Sequence, residues 1–267
     1  MAQQILDRYI AGSSLIHALD ARVKLVLTLA FIICAALLPE GAWLALLGLT
    51  ALIWAAIVAS GVGLSTIVRR SLLALPFLAV VVTIIFSVPG RPVFRLPLGF
   101  GPEAPALTAT DAGLLRFTTI VWKSWLSMQA ALLLTATTHF LDVLRALQAL
   151  HMPKIIVVLL SFMYRYLFIL VDEAQRLLRA RDCRSAALDG AGGGSLLWRA
   201  QVTGRLVGTL FLRAFERSER IYVAMLSRGY TGELRTLRPP ALDWRDLLFG
   251  IGVGAVLFII TAQAYVG

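Results

Sequence analysis

Two arginines at the ends of predicted helices are the side chains best suited to chemistry in this sequence. They lie in Ala180-Arg181-Asp182 and Ser227-Arg228-Gly229, and each follows a long helical pattern. A guanidinium is planar, permanently charged and able to donate two parallel hydrogen bonds to a carboxylate. Both arginines are therefore suited to binding an acidic group on another protein. A purely structural role is the alternative, because the helix dipole favours a cation at a C-terminus.

No pattern of catalytic or metal-binding residues accompanies these arginines. The sequence GxxxxGK[ST] of a phosphate-binding loop is absent, and the glycines between residues 190 and 194 predict only a flexible break. The histidines and cysteines are scattered, without a paired acid or a CxxC pattern: His17, His139, His151, Cys34 and Cys183. We therefore expect no catalytic residue, no metal ligand and no cofactor in this chain.

The composition is that of an integral membrane protein. Hydrophobic residues make up 59% of the chain and the mean hydropathy is +0.82, well above a soluble domain. The net charge of +10 indicates cytoplasmic loops and contact with anionic lipid headgroups. No nucleic-acid-binding motif is present, so nucleic acid is not expected as a partner.

Five apolar stretches predict membrane-spanning helices, since about 18–20 apolar residues cross a bilayer. Pro76 is expected to kink the third of them. Between the third and fourth stretches, residues 89–116 are rich in proline and glycine and predict an irregular outer loop. The predicted spans are residues 25–39, 42–60, 71–88, 118–138 and 246–265.

The distribution of lysine and arginine predicts the topology and three regions. Basic residues precede the first span and are concentrated in the block 139–245, which places the N-terminus inside and the C-terminus outside. The predicted class is an all-α membrane protein with about five transmembrane helices and long coupling helices packed together at the inner membrane face. The regions are the N-terminal spans with their outer loop (1–138), the cytoplasmic or interfacial block (139–245) and the last span (246–267).

Two long helices are predicted within the block. The first starts after Pro153 and runs to about Arg184, and the second runs from about Ser195 to Arg228, where Gly229 is suited to a left-handed cap. The first contains an apolar stretch, 155–171, that fits either a sixth span or an interfacial helix; Arg165 within it favours the interface. The second carries an apolar stripe expected to pack on the first: Val207, Phe211, Ala214, Ser218, Ile221 and Met225. Arg213, Glu216, Arg217 and Arg220 are expected on its other side, and Asp172 of the first helix is spaced to pair with Arg176.

Three segments resemble a known family, the T components of energy-coupling-factor (ECF) transporters, and most closely the cobalt-type CbiQ subgroup. The segments are Ser14–Lys24, Ser161–Phe168 continuing to Asp172-Glu173-Ala174, and Glu216–Arg220 continuing through Ala224–Tyr230. Members carry two short Ala-Arg-Gly-like motifs on their coupling helices. By position, Ala180-Arg181-Asp182 matches the first motif and Ser227-Arg228-Gly229 the second. Asp182 replaces the glycine of the first motif, so Arg179 or Arg184 could share its role.

The resemblance implies a non-catalytic subunit that transmits work. Two cytosolic ATPases hold the two arginine motifs, and their closure on ATP moves a separate substrate-binding membrane subunit. The subgroup implies cobalt uptake and location in the bacterial inner membrane, with nickel or a vitamin as alternative cargo. A stand-alone secondary transporter or channel is a different class of function, and it is disfavoured because the predicted spans contain few ionisable residues.

Overall fold

The computed structural model describes residues 9–10, 12, 14–72, 79–97, 106–184, 195–232 and 243–266. The chain divides into two compact units. The first, here called the span unit, contains Arg8–Ala146 and Pro240–Gly267, and the second, the helix-pair unit, contains Leu147–Pro239. The described helices and strands are α1 (Leu15–Ala18), α2 (Ala21–Leu37), α3 (Trp43–Ser60), α4 (Leu64–Ser71), a 3₁₀ turn (Ala79–Val82), α5 (Thr83–Ser87), β1 (Pro92–Pro97), β2 (Ala106–Thr110), α6 (Asp111–Thr137), α7 (Phe140–Ala149), α8 (Lys154–Arg184), α9 (Leu196–Ser227) and α10 (Trp244–Val266).

The core of the span unit lies among helices α2, α3, α6 and α10, which pack against one another. Leu46, Leu49 and Ile57 of α3 and Leu126 of α6 have no exposed surface. Local sequence sets the helix ends. The Asp20 side chain caps α2 by accepting a bond from the Arg22 amide at 2.8 Å, and Gly61 ends α3 with a φ of 72°.

The membrane class is confirmed, and the spans agree with the prediction in part. By length and composition, α3, α8 and α10 can cross a membrane, and α6 with α7 forms a fourth candidate across a bend of 106°. The predicted first span corresponds to α2, which has 17 residues. Because α8 also meets the length and composition of a span, the interfacial placement of 155–171 stays a prediction.

The third predicted span is not one continuous helix in the described part of the chain. Helix α4 ends at Ser71, and the chain resumes in the 3₁₀ turn at Ala79 before the short α5. The predicted kink residue, Pro76, lies outside the described residues. In the described residues 79–87 of this predicted span, a 3₁₀ turn and a short α-helix therefore replace a single continuous helix.

The outer loop predicted at 89–116 is more regular than its composition suggested. Strands β1 and β2 pair antiparallel, with Leu96 opposite Leu107 and a register shift between Pro92 and Phe94. Helix α6 begins at Asp111, capped by the Thr110 hydroxyl, which accepts a bond from the Gly113 amide at 3.1 Å. Proline is tolerated in such a two-stranded ribbon because both strands are edges.

Candidate functional site

Helix α8 carries the first candidate arginine, Arg181, in its last turn. The Pro153 carbonyl accepts bonds from the amides of Ile156 and Val157 at 3.1 and 3.4 Å, so the proline lies at the helix start as predicted. Apolar residues fill 155–171 and charged residues follow. The basic end of α8 thus lies at the negative end of its dipole.

Helix α9 ends at the second candidate arginine in a Schellman motif. Arg228 is the C-cap residue, and Gly229 adopts the left-handed conformation with a φ of 79°. The amide of Gly229 bonds to the Leu226 carbonyl and that of Tyr230 to the Met225 carbonyl, both at 3.0 Å. The predicted cap is confirmed, and it places an exposed Arg228 where the helix stops.

Helices α8 and α9 pack together, as the apolar stripe predicted. Between them lies a groove of about 300 Å³, lined by Phe162, Tyr166, Ile169, Leu170, Ala214, Arg217, Ser218, Ile221 and Met225. The N-terminal part of the stripe does not take part, since Val207 and Phe211 are exposed. The sequence-based assignment of Arg217 to the opposite side is wrong, because this residue lines the groove.

An ion pair between Arg213 and Glu173 joins the two helices beside the groove. Arg213 Nη1 of α9 donates to Glu173 Oε1 of α8, and Arg176 lies 3.7 Å from the same carboxylate. The Arg213 hydrogen bond, with smaller contributions from the charges of Arg176 and Arg217, lowers the pKa of Glu173 against the effect of burial. Sequence spacing had paired Arg176 with Asp172, whereas the structure pairs Arg176 with Glu173.

These contacts show that α8 and α9 are antiparallel. Groove residues precede Glu173 on α8 but follow Arg213 on α9, an order that parallel helices cannot produce. At 1.5 Å per residue, Arg181 is about 12 Å beyond the ion pair along α8 and Arg228 about 22 Å beyond it along α9. The two candidate arginines therefore lie toward opposite ends of one helix pair.

The two arginines differ in their local partners. Arg181 Nε and Nη2 both donate to Asp182 Oδ1, at 3.1 and 2.8 Å, and the Arg181 side chain is 33% exposed. Arg228 is exposed, and no ion pair is found for it within the described residues. The Asp182 that departs from the family motif thus holds the neighbouring guanidinium in this structure.

Three arginines near the end of α8 remain candidates for the binding contact of the first motif: Arg179, Arg181 and Arg184. Arg179 and Arg184 are exposed on the same end of α8, as is Ala180. In the second motif the Ser227 hydroxyl donates to the Ala224 carbonyl at 3.0 Å, so the serine is accommodated within the helix. The glycine-rich segment 190–194 lies outside the described residues.

In the described part of the chain, no group of three or more His, Cys, Asp or Glu side chains could hold a metal ion. His17 and His139 both contact the ring of Tyr9, with centroids 6.1 and 3.6 Å away. These two histidines thus take part in an aromatic cluster.

Comparison with known proteins identifies the family. A family model described as a cobalt transport protein, CbiQ, matches residues 12–238. The chain belongs to the CbiQ family. The match includes both arginine motifs, and the resemblance stated from sequence is confirmed.

Curated relatives extend this similarity over nearly the whole chain. The energy-coupling factor transporter transmembrane protein EcfT of Heliobacterium modesticaldum is 29% identical over 266 residues, which cover 96% of this chain and 95% of that protein. EcfT of Lactococcus lactis is 26% identical over 270 residues, 98% of this chain and 99% of that protein. An uncharacterized protein of Methanocaldococcus jannaschii is 26% identical over 260 residues, 95% and 85% respectively.

Proposed function

We propose that this chain is the non-catalytic membrane subunit of an ECF importer and couples cytosolic ATPases to transport. The carrying observation is that arginine-bearing helix ends lie toward opposite ends of one antiparallel pair. Two separate ATPase subunits need two separated contact points. A pair of parallel helices would present both arginines to the same place.

Each arginine motif binds a carboxylate in one ATPase. The Schellman cap stops α9 directly at Arg228, so the guanidinium projects from a fixed helix end. At the other end, Arg181 exchanges its bond to Asp182 for a bond to the acidic group of the partner. An exposed ion pair of this kind contributes only about 0–1 kcal/mol, so breaking it loses little free energy.

Work passes from the ATPases through the helix pair. When ATP closes the two ATPases, the two subunits move toward each other and carry the arginine-bearing helix ends with them. Contacts at the Glu173–Arg213 ion pair and along the groove make α8 and α9 respond together. The resulting motion reorients a separate substrate-binding membrane subunit, which holds the cargo.

The proposed cargo is cobalt, supported by the description of the family, and nickel or a vitamin are the alternatives to test. The proposed location is the bacterial cytoplasmic membrane, with the N-terminus inside and the C-terminus outside, supported by the distribution of basic residues. Uptake of radioactive cobalt, nickel and vitamins by cells with the assembled importer distinguishes these cargoes.

The decisive experiment measures assembly with the ATPases. Arg228→Ala should weaken co-purification of the ATPases, since truncating one side of a buried charged pair costs about 2–5 kcal/mol. Arg228→Lys should restore it only in part, because lysine lacks the planar two-point donor. Arg220→Ala, a change of the same type at an exposed position of α9, is the matched control and should have no effect.

The first motif is tested in the same assay. Arg181→Ala alone should weaken assembly less than its combination with Arg228→Ala, because one contact remains. Arg179→Ala and Arg184→Ala show whether a neighbouring arginine shares the role. Full assembly and full uptake by the double variant would refute the proposed function.

A further inference from the structure

The bend between α6 and α7 in the span unit is bound to the N-terminal segment at several points. Helix α6 ends at Thr137 and α7 starts at Phe140, and their axes differ by 106°. The Ile10 amide donates to the Ala136 carbonyl at 3.0 Å. The Tyr9 ring lies against His139, with centroids 3.6 Å apart and an interplanar angle of 31°. The segment thus touches the bend on both sides of the break.

Lys24 supplies the third contact, and it is the most buried one. Its Nζ donates to the Thr137 carbonyl at 3.3 Å and to the His17 carbonyl at 3.1 Å, and the residue is 8% exposed. The last carbonyls of a helix have no partner within the helix, so the ammonium takes the place of the missing turn of α6. Burial disfavours the charged ammonium, and attraction by Asp142, Asp20 and Asp246 compensates for this only in part.

The bend also contains a polar group left without a partner. The Thr138 hydroxyl is buried and has no hydrogen bond among the described residues. A buried, unpaired hydroxyl destabilises a structure. The contacts from the N-terminal segment therefore stabilise the bend against the unfavourable free energy of this unpaired hydroxyl.

A second lysine makes the same kind of contact at the other end of α2. Lys123 of α6 donates to the carbonyls of Ala36 and Leu38, where α2 ends. Each helix thus caps the C-terminus of the other through a lysine. Only Lys24 lies at a bend, since Lys123 is within the continuous α6.

We propose that Lys24 is a positioning residue that, with Tyr9, holds the α6–α7 bend rigid during transport. Along the chain, α7 leads directly to α8, so the bend is one of the covalent routes from the coupling helices to the spans. A rigid bend transmits displacement of α7 to α6, whereas a loose one absorbs it. This inference rests on the proposed function, because it assumes that α8 is driven by ATPases.

The test compares Lys24→Met with Lys123→Met in the full ATPase-containing complex. Both variants lose one lysine cap between the same two helices. Hydrogen exchange of the backbone amides of residues 138–143 should increase about tenfold or more in Lys24→Met, because a bond from a charged donor is lost. It should be unchanged in Lys123→Met. Lys24→Arg, which keeps a charged donor, should restore protection.

The functional reading is the amount of substrate taken up per ATP hydrolysed. This ratio should fall several-fold in Lys24→Met while ATPase assembly is retained, and it should stay at the wild-type value in Lys123→Met. Tyr9→Ala, which removes the ring against His139, should loosen the same amides and lower the same ratio even if Lys24→Met does not fold. Equal exchange in the two lysine variants, or an unchanged ratio in both Lys24→Met and Tyr9→Ala, would overturn the proposal.

The proposed coupling function and the proposed role of Lys24 are tested by different measurements. If Arg228→Ala and Arg181→Ala together leave ATPase assembly intact, the coupling role is wrong. The hydrogen-exchange comparison still decides whether Lys24 holds the bend, since it needs neither ATP nor substrate.

Discussion

The span unit and the helix-pair unit are both helical, but they bury their side chains very differently. Helix α3 alone has seven buried residues, whereas α8 has two, Val157 and Phe168, and none is buried in α9. Large apolar side chains such as Phe211 and Phe215 stay exposed on α9. An exposed apolar surface of this kind is typical of contact with another protein or a membrane. Helix α3 thus contributes to a buried core, whereas α8 and α9 leave most of their side chains accessible to a partner or to lipid.

The polar contacts show the same contrast. In the span unit, indole N–H groups bind across helices: Trp54 to Gln129 at 3.2 Å, Trp122 to Thr50 at 3.1 Å and Trp125 to Ser71 at 2.9 Å. Such bonds inside a membrane contribute about 0.6 kcal/mol each. In the helix pair, Arg213 of α9 donates to Glu173 of α8 at the edge of the groove.

The largest loss of stability should follow from truncating a side chain in the core of the span unit. Leu126→Ala removes a fully buried side chain and should destabilise the unit by about 2–5 kcal/mol through a lost contact surface and a cavity. Leu212→Ala on α9 removes a side chain that is 61% exposed and should change stability by less than about 0.5 kcal/mol. Thermal unfolding of the purified subunit in detergent measures both, and equal losses would contradict the contrast between the units.

A smaller effect should come from the cap of α9. Gly229→Ala forces a side chain into the left-handed conformation and should cost about 1–2 kcal/mol, which displaces Arg228 and weakens ATPase binding. Gly204→Ala lies within α9, where an added Cβ meets nothing within 4 Å. This control should stabilise the helix by about 0.5–1 kcal/mol. Circular dichroism melts and ATPase co-purification test the opposite signs, and the cap assignment is wrong if both variants behave alike.

The smallest effect concerns pH. Glu173 lies beyond the apolar stretch 155–171, and Arg213 lowers the pKa of its carboxylate. Since the folded pKa is below the unfolded one, the stabilisation is complete above the ordinary glutamate pKa and is lost as the pH falls through the folded value. Wild type should therefore melt higher than Glu173→Gln at neutral pH, and the difference should vanish in acid. A difference that persists in acid would assign the effect to packing.

Patterns within a single element were predicted well from sequence. The start of α8 at Pro153 and the cap at Gly229 each depend on a few neighbouring residues, and the bounds of α3 and α10 follow from continuous apolar runs. The ribbon of β1 and β2 was missed because its proline and glycine content is typical of an irregular loop. Strand pairing depends on two segments meeting, which neither segment shows alone.

Side-chain partners were predicted less well. Spacing along α8 predicts a pair of Arg176 with Asp172. In the structure, Glu173 pairs instead with Arg176 of its own helix and with Arg213 of α9. The role of Lys24 was also missed, since the carbonyl it binds belongs to Thr137, far away in the sequence. The only local signal was a lysine beside the start of a predicted span.

The sequence by itself determined the membrane class, the two long helices α8 and α9, their arginine-bearing ends and the family. These properties follow from hydropathy, local capping and motif residues, all of which act over a few turns of chain. Only the tertiary structure decided that α8 and α9 are antiparallel, so that Arg181 and Arg228 lie toward opposite ends, and that Lys24 caps α6. Both depend on contacts between distant segments, because packing of whole helix faces selects which side chains meet.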